Sequence, residues 1–267
     1  MNHNYYIPAE IAYQNIIQAI WQIAHTPLFS TEYIIPKGVI EVIFNFSDSA
    51  IPTEIGYKNY DLPSCFINGF NTLPINIHLP ENQVFFGVIF QPVAVTKIFK
   101  VHGSELADIT IDMTLIDVTF NSLWHQLVEQ TTFDARVKTF LNWLNSKITD
   151  WHPQDQLMNT FLYASKQQAL SVTGLADTLC YSTRHLSRKL FEVTGMNAEE
   201  ILLYKKYLHA VELMHKTNLS LTEIAHQSFF VDQSHFIKTF KGYAGITPGA
   251  YRRKMSLVKG HIYDNVR

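Results

Sequence analysis

The sequence is short of several things, and each shortage removes a class of protein. No eighteen consecutive apolar residues occur in its 267, so no membrane-spanning helix is expected. Its two cysteines, Cys65 and Cys180, stand far apart. That suits a reducing cytoplasm and not a disulfide scaffold, and both are expected as small buried hydrophobes. The opening MNHNYYIPAE lacks the charged and then apolar order of a secretion signal. Twelve histidines are scattered without an H-x-H or H-E-x-x-H pattern, so neither a metal nor a cofactor is expected. A P-loop, a G-x-G-x-x-G and a G-x-S-x-G are all missing. The expectation is a protein that is not an enzyme.

What is present points to two units. A length of 267 residues, 47% of them hydrophobic, suffices for one large core or two ordinary ones. The formal charge of −2 conceals an asymmetry. Residues 1–152 hold 7 Lys+Arg against 14 Asp+Glu, a balance of −7, whereas residues 153–267 hold 14 against 9, a balance of +5. Only the back half suits a polyanionic partner. Pro153 coincides with the charge change, in TDWHP (149–153), and divides a domain over 1–150 from one over 153–267.

The front half opens with short apolar runs set between Pro, Gly and Asn. VIEVIFNF (39–46), CFINGF (65–70), INIHL (75–79) and VFFGVIF (84–90) are β-branched, aromatic and too short for helices, and IIQAIWQIA (16–24) leans the same way. They predict a small antiparallel β barrel or sandwich. Helical spacing follows at 118–130 and 135–148. In the second stretch Val137, Phe140, Leu141, Leu144 and Ile148 form one stripe, expected to pack on the strands.

The back half reads as all-helical, with well-marked helix starts. Asn197 with Glu200 and Ser220 with Glu223 have capping-box spacing, Ser182 and Asp232 suit N-caps, and Thr247 precedes Pro248. Two segments look like worn copies of one another. His185, Leu186, Arg188, Leu190 and Gly195 correspond, fifty residues on, to His235, Phe236, Lys238, Phe240 and Gly245. Each copy has a short helix, a turn and a basic second helix, the layout of a helix-turn-helix. Leu175, Ala176, Leu179, Leu186 and Leu190 are expected in one small core, and Ile224, Ala225, Phe236 and Phe240 in another. The helix predicted over 198–216 spans about 28 Å, and successive major grooves on one face of DNA lie about 34 Å apart. A rod of that length can hold both second helices on one side of a duplex.

LADTLCYSTRHLSRKLFEVTG and EIAHQSFFVDQSHFIKTFKGYAGITPGAYR carry a resemblance. Residues 155–253 resemble the DNA-binding domain of the AraC/XylS family of bacterial transcription regulators. PKGVIEVIFNF, GVIFQPVAV and SELADITIDM more weakly resemble an uncharacterised sensor-type domain found ahead of such readers. The resemblance implies an α+β protein of two domains, a β barrel or sandwich with flanking helices followed by an all-α double helix-turn-helix. It implies a sequence-specific regulator on double-stranded DNA, modulated by a small-molecule effector or by homodimerisation, and working with RNA polymerase where it activates. Family members often carry glycine where this chain has Cys180 and Phe229, at a turn that wants positive φ.

The DNA-contacting candidates are Thr183, Arg184, Ser187 and Arg188 in the first copy, and Gln233, Ser234, His235, Lys238 and Lys241 in the second. Arginine can meet guanine bidentately and glutamine adenine, while Lys238 and Lys241 suit phosphates. The competing reading of these residues is a pair of plain solvated faces. In the front half Glu41, Asn45, Asn68 and His78 are candidate ligand groups; the competing reading is outward-facing strand residues. The alternative function is a DNA reader fused to a small-molecule-processing enzyme domain, a reading weakened by the missing catalytic constellation.

Overall fold

The computed structural model describes residues 2–25, 29–47, 49–147, 151–163 and 171–266. The front half supplies strands β1 (Asn2–Tyr6), β2 (Ile17–His25), β3 (Phe29–Ile34), β4 (Ile40–Asn45), β5 (Pro52–Ile55), β6 (Lys58–Asp61), β7 (Cys65–Asn68), β8 (Ile75–His78), β9 (Gln83–Phe90) and β10 (Thr110–Asp112). The last strand, β11 (His261–Val266), follows all the helices. One sheet runs β1-β2-β9-β4-β7-β10 and the other β11-β3-β8-β5-β6. Every pairing is antiparallel. The sheets do not close into a barrel, so the sandwich is the form adopted.

Helices of the front half are α1 (Ile11–Gln14), α2 (Pro92–Phe99), α3 (Met113–Ile116), α4 (Thr119–Val128) and α5 (Phe133–Asn145). Strand alternation explains why the central sheet reads as nearly continuous apolar sequence: both of its faces are covered. Phe44, Phe86 and Phe90 meet the ring of Phe140 on α5, with centroids 6.3 Å apart in each case. Their neighbours Ile43 and Phe85 belong to a second apolar cluster with Phe66 and Trp21. In the α5 stripe Val137, Phe140 and Leu144 are buried and Leu141 packs against them, while Ile148 lies outside the described residues. The sequence reading did not foresee α2. Pro92 opens it, and the side chain of Asn159, from the following half, accepts from its Val93 amide at 3.2 Å.

The back half forms α6 (Pro153–Tyr163), α7 (Val172–Thr178), α8 (Thr183–Thr194), α9 (Ala198–Lys216), α10 (Leu221–Gln227), α11 (Gln233–Ala244) and α12 (Pro248–Lys254). Each expected cap is made. Ser182 accepts from the His185 amide and Asp232 from that of His235, Asn197 and Ser220 form capping boxes, and Thr247 accepts from Ala250. All nine residues expected in the two small cores are buried. Cys65 is buried as expected, and burial pushes its thiol well above the ordinary range. Cys180 corrects the expectation, for it is exposed; its turn points the side chain outward instead of into the core.

The two halves share one continuous apolar cluster, from Ile16 of the front through Tyr207 to Tyr251 of the back. Four contacts fix the arrangement. Gly103 approaches the end of α8 so closely that a Cβ there would stand 2.1 Å from the Val193 carbonyl oxygen. Tyr204 and Tyr207 of α9 donate to the carbonyls of Asn71 (2.8 Å) and Pro36 (3.2 Å). Tyr33 of β3 donates to the carbonyl of Ala244, at the end of α11, at 2.9 Å.

Candidate nucleic-acid interface and ligand cavity

The two copies superimpose residue by residue in environment. From Ser182 to Leu190 and from Asp232 to Phe240, exposed, half-buried and buried positions follow the same order. In both, the first turn of the second helix faces solvent and its fourth and eighth residues, Leu186 and Leu190 or Phe236 and Phe240, enter the core. Each second helix ends on glycine in the left-handed region, Gly195 at φ +78° and Gly245 at φ +71°, where a Cβ would crowd the following carbonyl. The turns match too. Cys180 (+54°) and Phe229 (+61°) are the left-handed residues. The next amides, Tyr181 and Phe230, return to the carbonyls of Ala176 and Ala225 at 2.8 and 3.0 Å. The second turn then adds one residue before its cap.

The structure places Thr183, Arg184, Arg188, Gln233, Ser234, Lys238 and Lys241 in the open on these two faces, with His185 and His235 half-buried. Ser187 is half-buried, and its hydroxyl accepts from the Ala198 amide at 3.3 Å, tying α8 to the start of α9. Arg188 reaches the His185 ring at 3.2 Å and lies 3.7 Å from Glu192. A hydrogen bond from Lys189 first, and the nearby cations after it, hold Glu192 below the usual carboxylate range. Gln233 accepts from Thr222 at 3.2 Å. His185 packs on the Tyr181 ring at 4.5 Å and His235 against Phe230 at 5.4 Å. Both rings brace their turns, which spacing alone did not reveal.

Of the four front-half candidates, the structure brings Glu41 and Asn68 together. They stand opposite one another on β4 and β7, with Thr110 of β10 opposite Asn68 in turn. All three line a cavity between the sheets, with about 840 Å³ of empty space counting its open mouth. Thr110 donates to Asn68 Oδ1 at 2.7 Å, and Lys37 donates to Glu41 Oε2 at 2.9 Å. Asn45 is buried elsewhere, with its Oδ1 accepting from the Ser47 amide at 2.9 Å, and His78 is exposed on β8. Neither lines the cavity.

Sequence reasoning missed Glu32, Lys37 and His261, which also line it. Glu32 is buried and its Oε1 meets His261 Nδ1 at 2.6 Å. Burial opposes the charge on Glu32, but the charge and hydrogen bond of His261, a hydrogen bond from Tyr263 and the charge of Lys37 outweigh it, so its pKa is lowered. No local signal marks this pair, because 229 residues separate its members.

Fold and surfaces together define a class: a β-sandwich domain carrying a double helix-turn-helix. The profile of a family described as "Helix-turn-helix domain" matches residues 175–254, and that of a domain of unknown function (DUF6597) matches 6–112. The HTH-type transcriptional activator AarP of Providencia stuartii is 34% identical over 83 residues, 31% of this chain and 62% of that protein. The HTH-type transcriptional activator RhaR of Pectobacterium carotovorum is 29% identical over 110 residues, 41% of this chain and 38% of that one. The chain thus spans less than two thirds of the length of these curated relatives. In structure it is similar to ToxT from Vibrio cholerae with an unsaturated fatty acid bound, at a TM-score of 0.51 and 13% identity, covering 97% of this chain and 99% of that one. The chain thus carries a helix-turn-helix domain over residues 175–254, preceded by an N-terminal domain of the DUF6597 type over residues 6–112.

Proposed function

We propose that this protein is a cytoplasmic, sequence-specific transcription regulator in which α8 and α11 enter two adjacent major grooves of one duplex. The observation that carries this reading is the paired environment of the two helices, polar and open over equivalent first turns and mounted at either end of α9. In it Thr183, Arg184, Ser187 and Arg188 meet one groove, and Gln233, Ser234, His235, Lys238 and Lys241 meet the next. Arg184, Arg188 and Gln233 read base edges, and the lysines hold phosphates. Ser187 contributes from a position already tied to α9. The reader is the unit from Pro153 onward, and residues 1–150 are the domain that modulates it.

The cavity supports modulation by a small molecule. ToxT, a neighbour in fold, has been crystallised with a fatty acid, so this fold admits a ligand with an apolar body. Glu41 and Asn68 are the ligand groups of this reading. The walls of the cavity continue into the contacts that hold the reader, since Pro36 and Asn71 both line it and accept from tyrosines of α9. A ligand that favours one arrangement of these walls shifts how the reader is held. The relatives named as activators support a role in activation, with RNA polymerase as the further partner.

Footprinting of the full chain on genomic DNA tests the reading. Protection is expected over two segments one helical turn apart, on one face of the duplex, with affinity falling steeply as salt rises. Protection of a single segment, or an affinity indifferent to salt, overturns it.

A further inference from the structure

Four ionisable side chains line the cavity: Glu32, Lys37, Glu41 and His261. The two carboxylates are the deepest, each 6% exposed. Glu32 is satisfied by β11, through His261 and Tyr263. Glu41 is satisfied on one oxygen only: Oε2 takes the Lys37 ammonium, and no hydrogen bond reaches Oε1 among the described residues. Lys37 is the more exposed partner, and a long lysine stem readily carries its head into water. Gln83 also lines the cavity, 4% exposed, at the far end of β9 from Ile89, the residue opposite Glu41.

Apart from Thr53, Asn68, Asn71 and Thr110, the remaining walls are apolar and aromatic, with Trp21, Phe66 and Phe85 on the central sheet. Such rings present negative faces. An anionic ligand would confront two fixed carboxylates in a poorly hydrated space, with the one lysine already engaged. A cation finds the opposite: an open carboxylate oxygen and ring faces.

We propose that the cavity binds a small organic cation, an apolar body of aromatic size carrying a protonated amine that pairs with Glu41 beside Asn68. The ammonium takes the place of Lys37 on Glu41, and Lys37 turns out to solvent. This identification of the ligand class rests on the reading of the front domain as a ligand sensor.

Three probes of one shape and different charge test it: phenethylamine, phenethyl alcohol and hydrocinnamate, each titrated calorimetrically into the full-length protein. The amine is expected to bind about tenfold tighter than the alcohol, with the acid weakest. Equal binding of amine and alcohol overturns the role of charge. Tightest binding by the acid overturns the cationic class while leaving a ligand sensor in place. Binding of none of the three overturns the cavity as a ligand site, and with it the sensor reading. Glu41→Gln should erase the preference for the amine; a folded variant that keeps the preference overturns Glu41 as the anchor. Should that variant fail to fold, Lys37→Met decides. Removing the competing ammonium is expected to tighten the amine, and unchanged or weaker binding overturns the exchange.

Discussion

Phe229 and Cys180 occupy one place in the two helix-turn-helix units, and both hold a left-handed backbone that glycine adopts freely. Phe229 is half in solvent and stacks loosely on His209, with ring centroids 6.4 Å apart. Little burial therefore offsets a strain of about 1–2 kcal/mol. Phe229→Gly is expected to leave the domain folded and to raise its melting temperature slightly. A large drop in calorimetry would show instead that the ring plugs the core. Arg188→Ala is expected to weaken specific DNA binding by about 1–3 kcal/mol, with a much smaller loss on random sequence. Equal losses in a paired gel-shift titration would make Arg188 a phosphate contact. At this scale the caps and the two small cores were legible, because both depend on spacing within a few residues. The partner of Ser187 was not, since the Ala198 amide comes within reach only once α8 and α9 have packed.

Among elements, β11 departs most from the linear order of the chain. It follows α12, yet it pairs with β3 of the front domain, with His261 opposite Ile34 and Tyr263 opposite Glu32. Its attachment is expected to respond to pH through Glu32, whose pKa is lowered against the opposing effect of burial by His261 and Tyr263 on β11 and by Lys37 in the β3–β4 turn. A carboxylate whose pKa is lowered by folding contributes fully at neutral pH, and that contribution is lost as pH falls through the lowered value. Amides of residues 261–266 are expected to be protected from hydrogen exchange at neutral pH and to open in acid. Glu32→Gln should flatten that dependence, and an unchanged profile would assign it to another group. The amphipathic helices were legible in the sequence because one buried stripe repeats over several turns, as in α5. Strands β5 and β6 were not, since PTEI and KNYD lack the β-branched and aromatic run that marked β7 and β8 at the same length. His261–Val266 carries no sign that its partner lies more than two hundred residues earlier.

For the whole molecule, the front domain touches the ends of α8 and α11 and the middle of α9, so one body holds both second helices of the repeat. Gly103 is the tightest of these contacts. Gly103→Val drives a side chain into the backbone of α8 and is expected to destabilise the fold by about 1–3 kcal/mol. Thermal melting measures that loss. Limited proteolysis is expected to release an intact reader, because the capped helices and small cores of that half remain. A variant that melts like the parent would show that the two bodies part here without loss.

By itself the sequence determined the helices of the back half, their caps, the repeat fifty residues apart and the basic character of that half. Each of these follows from residue type at short spacing, where local sterics and hydrogen bonding decide. Only the tertiary structure decided that the cavity holds Glu32, Lys37 and His261 beside Glu41 and Asn68. It also decided that β11 returns to the front sheet and that Gly103 meets α8. Those juxtapositions arise when separate apolar faces seek one another to leave water, a force without direction that leaves no local trace of which distant residue will be the neighbour.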